Sequence, residues 1–133
     1  MDRYLLDTNT LSDAIRNPRG TVAQRITGAE RGTTCTSIIV AAELRFGALK
    51  RRSARLTARV DELLVTIDVL PFEAPADLVY AGIRAELESA GWPIGANDLL
   101  IAAHALALDL TLVSANEREF ARVPGLRLQN WVT

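Results

Sequence analysis

Three acidic residues stand out by where they interrupt or border apolar runs: Asp7, Glu43 and Asp98. Asp7 ends the run Tyr4-Leu5-Leu6 and opens the polar cluster Asp7-Thr8-Asn9-Thr10, while Asp98 precedes the apolar stretch from Leu99 to Leu108. Glu43 shares a helical face with Ile39 and Phe46, and a carboxylate on an apolar stripe costs several kcal/mol unless it is protonated, paired or bound to a cation. If folding gathers the three, their repulsion raises at least one pKa unless a cation sits between them. A set of oxygen donors without thiolate or imidazole favours Mg²⁺ or Mn²⁺. Such an ion can lower the pKa of a bound water, orient a phosphodiester and neutralise charge during in-line displacement.

Each acid also has a purely structural reading. Asp7 and Asp98, or its neighbour Asn97, can serve as helix N-caps, a role worth about 1 kcal/mol. Glu43 can pair with Arg45 or Arg84. Ile101, Ala102 and Ala105, on the helix face below Asp98, place its carboxylate at a packed sheet edge rather than in open solvent. His104, the single histidine, does not share that face and is expected to serve packing. A lone histidine also disfavours metal-free RNA cleavage by paired imidazoles, because one member is missing.

The elements that must position these groups follow from punctuation and period. Tyr4 to Leu6 reads as a strand, followed by a helix through Leu11 and Ile15. Asn17-Pro18-Arg19-Gly20 breaks the chain before a second helix through Val22 and Ile26, ending near Gly28 to Gly32. Thr33 to Ser37 is a β-branched strand, Ile38 to Leu49 a helix, Ser53 to Leu64 another, and Thr66 to Leu70 a strand closed by Pro71. Ala74 to Glu88 is helical with Leu78, Ile83 and Leu87 facing the core; Gly91 to Gly95 is a loop. The helix Leu99 to Leu108 precedes a strand, Leu110 to Ser114, and a short last one at Leu126 to Leu128. Short apolar strands alternating with helices predict an α/β fold, a parallel sheet covered on both faces.

Composition narrows the class. At 133 residues and 49% hydrophobic, the chain buries one core and forms one domain, 1–133. The run Leu99 to Leu108 is about half the length that a bilayer requires, and the opening Met-Asp-Arg lacks a leader pattern, so the cytoplasm is the expected setting. Cys35 stands alone, which excludes an internal disulfide and a thiolate zinc site and suggests a buried thiol. Fifteen basic against sixteen acidic residues argue against coating nucleic acid by bulk charge. Yet Arg45, Lys50, Arg51, Arg52, Arg55 and Arg59 occur between Leu44 and Val60 with no acid among them. Spacings of three and four put Arg52, Arg55 and Arg59 on one helix face, as phosphate contacts or as a solvated surface.

In their order, the stretches Tyr4-Leu5-Leu6-Asp7-Thr8-Asn9, Ala42-Glu43-Leu44-Arg45-Phe46-Gly47, Gly95 through Ala105 and Leu112 through Phe120 resemble a PIN-domain nuclease. Pro124-Gly125-Leu126 and Asn130-Trp131 extend the likeness to VapC-type toxins over nearly the whole chain. The resemblance implies a three-layer α/β/α fold with a central, mostly parallel sheet. It implies a Mg²⁺- or Mn²⁺-dependent endoribonuclease acting on RNA such as tRNA and held by a small VapB-type antitoxin that also binds operator DNA. It further implies a homodimer and a toxin–antitoxin hetero-oligomer, and no membrane. Asp7, Glu43 and Asp98 become the acidic centre, supported by Thr8 and Ser114. Relatives carry a fourth acid where this chain has Asn116; an amide brings no charge, and Glu119 supplies the carboxylate if that turn is helical. A catalytically silent binding module of the same fold is the alternative. A haloacid-dehalogenase-type phosphatase or a phosphoreceiver domain is disfavoured, since Lys50, the only lysine, lies within the basic stripe.

Overall fold

The strands are short, and the central ones are buried on both faces while the two edge strands are partly exposed. In the computed structural model, which describes residues 2–132, β1 is Tyr4–Leu6, β2 Thr34–Ser37, β3 Asp68–Leu70, β4 Thr111–Val113 and β5 Leu128–Gln129. Successive side chains on a strand point to opposite faces. Leu5 and Leu6, Cys35 and Thr36, and Leu112 and Val113 are all fully buried, so both faces of the sheet centre are covered. Each such leucine contributes about 1.5–3 kcal/mol.

Strand order is β3-β2-β1-β4-β5, and every neighbouring pair is parallel, with Leu5 opposite both Cys35 and Leu112 and Leu6 opposite Val113. The chain moves outward from β1 to β3, then returns to the other side of β1 as β4. The boundary between β1 and β4 is thus the topological switch point, where strand ends and helix starts leave a crevice.

Helices α1 (Thr8–Arg16), α2 (Thr21–Gly28), α3 (Ile38–Lys50), α4 (Ala54–Thr66), α5 (Ala76–Ser89), α6 (Ala96–Ala107) and α7 (Glu117–Phe120) connect the strands. Local chemistry sets their starts. Asp7, Ser37 and Ser53 cap α1, α3 and α4 through side-chain oxygens, satisfying N–H groups that the first turn leaves free. α6 begins differently: its N-cap is Gly95, with no side-chain cap. Asp98 therefore lies inside the first turn, and neither it nor Asn97 is the cap.

Two further readings change. Leu78 is 74% exposed, because the buried stripe of α5 runs through Ala76, Ile83 and Leu87, and a residue five positions before Ile83 points well away from that stripe. On α3 the buried residues are Val40, Ala41, Leu44 and Ala48; Phe46 is 64% exposed, so Glu43 lies at the rim of the core and not on a buried stripe. α7 is a single turn, too short to show an apolar period, and entered the sequence reading only as the turn that would carry Glu119. Cys35 is a buried thiol, its pKa pushed up to about 11 by burial. His104 is buried, its Nδ1 2.8 Å from Ser37 Oγ and its ring edge-on to Phe72.

Candidate active site

Asp7 leaves the carboxyl end of β1 only 3% exposed. Its Oδ1 accepts from the Thr8 N–H at 2.8 Å, the capping bond of α1. Its Oδ2 accepts from Ser114 Oγ at 2.8 Å and Asn9 Nδ2 at 3.4 Å. Capping thus uses one oxygen, and the second turns toward the end of β4. Ser114 Oγ in turn accepts from the Asn116 N–H at 3.0 Å. Asn9 Oδ1 accepts from the Ala115 N–H at 3.1 Å, and Thr10 Oγ1 donates to the Val113 carbonyl, also at 3.1 Å. These bonds join the ends of β1 and β4 across the switch point.

Glu43 reaches the same crevice from α3. Its Oε1 accepts from Thr8 Oγ1 at 2.7 Å and its Oε2 from Asn97 Nδ2 at 3.1 Å. Neither arginine considered as its partner pairs with it: Arg45 binds Asp61 and Arg84 binds Glu88. Asp98 enters from the first turn of α6, its Oδ2 accepting from Asn116 Nδ2 at 3.1 Å. The same amide donates to Glu119 Oε2 at 3.0 Å, and the Gly95 N–H donates to Glu119 Oε1. Asn116 therefore offers its NH₂ rather than its oxygen, bridging two carboxylates.

The electrostatics match this crowding. Burial raises the Asp7 pKa, against the Ser114 and Thr8 hydrogen bonds, and the charges of Glu43 and Glu119 push the same way. Asp98 is pushed up to about 7, first by loss of water, then by the charges of Asp7 and Glu119. Glu119 is held below its ordinary range by the Gly95 N–H and the Asn116 amide. Every ion pair among the described residues lies elsewhere, at Arg3–Asp68, Arg45–Asp61, Arg84–Glu88 and Arg127–Asp109. Four acids thus converge with no basic side chain bonded to any of them.

An oxygen-only donor set under mutual repulsion suits a hard divalent ion. No group of three or more carboxylates, imidazoles or thiolates among the described residues is spaced to hold a metal ion; each acid rests instead on protein donors. Asn9 and Asn97 hold the acids in place, a role the sequence reading did not assign, although Asn9 lies within the polar cluster that follows β1.

The basic stripe is dispersed. Arg52, at φ 53°, sits in the turn closing α3 and outside α4, so it shares no helix face with Arg55 and Arg59. Arg59 Nη1 donates to the Ile15 carbonyl at 3.2 Å. Arg55 is exposed. Arg16 and Arg51 line a cleft of about 250 Å³ with Thr8 and Glu43, beside the acids. No helix among the described residues is long and apolar enough to cross a membrane.

The family model of the PIN domain matches residues 4–126. The chain is 39% identical over 130 residues to Ribonuclease VapC2 of Rickettsia felis, covering 96% of this chain and 97% of that protein. It is likewise 39% identical to the tRNA(fMet)-specific endonuclease VapC of Shigella flexneri, over 98% and 99% of the two chains. Among solved structures, DNA-bound VapBC from Salmonella typhimurium superposes with a TM-score of 0.92 at 36% identity, over 98% of this chain and 99% of that one. VapBC2 of Rickettsia felis bound to a promoter DNA fragment gives 0.87 at 35% identity, over 96% and 98%.

Proposed function

This chain belongs to the PIN-domain family, and from that premise we propose that it is a metal-dependent endoribonuclease, the toxin of a VapBC-type pair. The observation that carries this reading is the meeting of Asp7, Glu43, Asp98 and Glu119 at the sheet's switch point without a basic partner. Mg²⁺ or Mn²⁺ would be held by Asp7 and Asp98, with Glu119 and Glu43 beside them. Such an ion, when bound, makes water acidic enough to attack a phosphodiester near neutral pH and takes up charge on the phosphoryl oxygens.

The protein's part is positioning. Ser114 and the Thr8 N–H fix the Asp7 carboxylate in a buried site, where its charge is least screened. Thr8 Oγ1 and Asn97 Nδ2 hold both oxygens of Glu43. Asn116 keeps Asp98 and Glu119 side by side, so the missing fourth acid is replaced from one helical turn further on. That substitution argues against a catalytically silent module. Arg16 and Arg51, which line the cleft beside the acids, are the basic groups best placed to meet flanking phosphates; Arg52 follows Arg51 in the same turn, Arg55 is exposed on α4, and Arg59 is engaged with backbone.

A structured RNA of the tRNA class is the proposed substrate, since a relative sharing 39% identity is a tRNA(fMet)-specific endonuclease. A small antitoxin and a toxin–antitoxin hetero-oligomer complete the reading, supported by similarity to VapBC complexes; a homodimer and a cytoplasmic setting are proposed with them. The test is direct. Purified protein should cut a tRNA transcript internally with Mg²⁺ or Mn²⁺ and not in EDTA, and Asp7→Asn should lose cleavage while keeping its fold. Cutting in EDTA, or by the Asp7→Asn protein at the parental rate, would overturn it.

A further inference from the structure

The loop between α5 and α6 carries an aromatic side chain that the acidic pocket does not use. Trp92 is 60% exposed, whereas Trp131 is 3% exposed. An outward indole forgoes the stabilisation of burial, yet its backbone is firmly held. Gly91, at φ 74°, ends α5 in the left-handed region. The Gly91 N–H donates to the Glu88 carbonyl at 3.1 Å and the Trp92 N–H to the Leu87 carbonyl at 2.9 Å, the paired bonds of a glycine-terminated helix.

Arg122 holds the other side. Its guanidinium carbon lies 5.6 Å from the Trp92 ring centre, and its Nη1 donates to the Pro93 carbonyl at 3.0 Å. Both members are tied to the acids. The Arg122 N–H donates to the Glu119 carbonyl at 3.2 Å. Gly95, at the end of the tryptophan loop, donates to the Glu119 side chain and begins the helix that carries Asp98.

We propose that Trp92 and Arg122 form a stacking platform for an unpaired base of the RNA, next to the phosphodiester held at the acids. This rests on the ribonuclease reading above. An indole face flanked by a guanidinium accepts any base through its π surface, with cation–π support. A base inside a duplex cannot present that surface, so the platform selects single-stranded loops over helices. The hydrogen bonds shared with Glu119 and Gly95 tie the platform to the acidic site, so a stacked base contributes affinity beside it.

The experiment uses the full chain. In an Asp98→Asn background, expected to hold RNA without cutting it, a dye-labelled short single-stranded RNA of mixed sequence is titrated by fluorescence anisotropy, alongside the same RNA with its bases removed. Trp92→Ala is expected to weaken binding of the base-bearing RNA by about tenfold or more and to leave the abasic RNA nearly unchanged, while Trp92→Phe stays within a few-fold of the parent. With the catalytic acids intact, Trp92→Ala should raise KM for a hairpin with an unpaired loop far more than it lowers kcat. Equal losses on both RNAs, no loss on either, or a change in oligomeric mass with RNA binding unchanged would each overturn the platform. A parent protein that cuts RNA while Trp92→Ala matches it refutes the platform alone; a parent that cuts no RNA with any divalent ion refutes the ribonuclease reading and the platform together.

Discussion

Replacing Asp98 by asparagine removes one charge from the crowded pocket while preserving shape, and its effect on stability can be worked out beforehand. In the folded protein this carboxyl titrates at about 7, against about 3.9 in an unfolded chain. Between those values the native state holds a proton that the unfolded state has released. Metal-free stability must therefore fall as pH rises from about 4 to about 7 and level off above it. Three decades of proton affinity correspond to at most about 4 kcal/mol. Asp98 is half-buried, so solvent screening reduces this to about 1–2 kcal/mol. Asp98→Asn should lose most of that slope and, in EDTA at pH 8, melt several degrees above the parent, with RNA cleavage abolished. Urea or thermal melts across this pH range measure it directly. A parent whose metal-free stability is flat from pH 4.5 to 8, or an Asp98→Asn protein less stable than the parent at pH 8, would refute the claim that burial and the neighbouring acids disfavour the Asp98 charge.

Further outcomes follow from the same geometry. Mg²⁺ or Mn²⁺ at a hundredfold excess over its Kd should stabilise the parent by about 2.7 kcal/mol, and Asp98→Asn much less; thermal melts with and without EDTA check this. Thr8→Ala removes the 2.7 Å bond that holds Glu43 and should lower kcat by about 10- to 100-fold with little change in KM, read by steady-state cleavage. Arg55→Glu should weaken RNA binding and reduce its salt slope by about 1 or more. Arg59→Glu, which loses a bond to the Ile15 carbonyl, should instead lower the melting temperature.

Much of the architecture was legible in the residues themselves. Tyr4–Leu6 and Thr111–Val113 are short and largely apolar without alternation because both faces of their sheet are covered, and that absence of period 2 is visible in one dimension. Capping is equally local: Asp7, Ser37 and Ser53 mark helix starts because the first turn's free N–H groups need an oxygen from the residue just before them. The ordered motifs likewise pointed to Asp7, Glu43 and Asp98 as companions.

Only the tertiary structure decided how those companions meet. Asp7 and Ser114 lie 107 positions apart, and their 2.8 Å bond exists because β1 and β4 pair in parallel with Leu6 opposite Val113. No local preference encodes that register. Glu43 was assigned to a buried face of α3 that runs instead through Val40, Ala41, Leu44 and Ala48, and Arg52 was placed on a helix it precedes. Each error has one cause. Periodicity states which residues share a side of an element, whereas the side that meets the core, and the groups waiting there, are fixed by the packing of segments far apart in the chain.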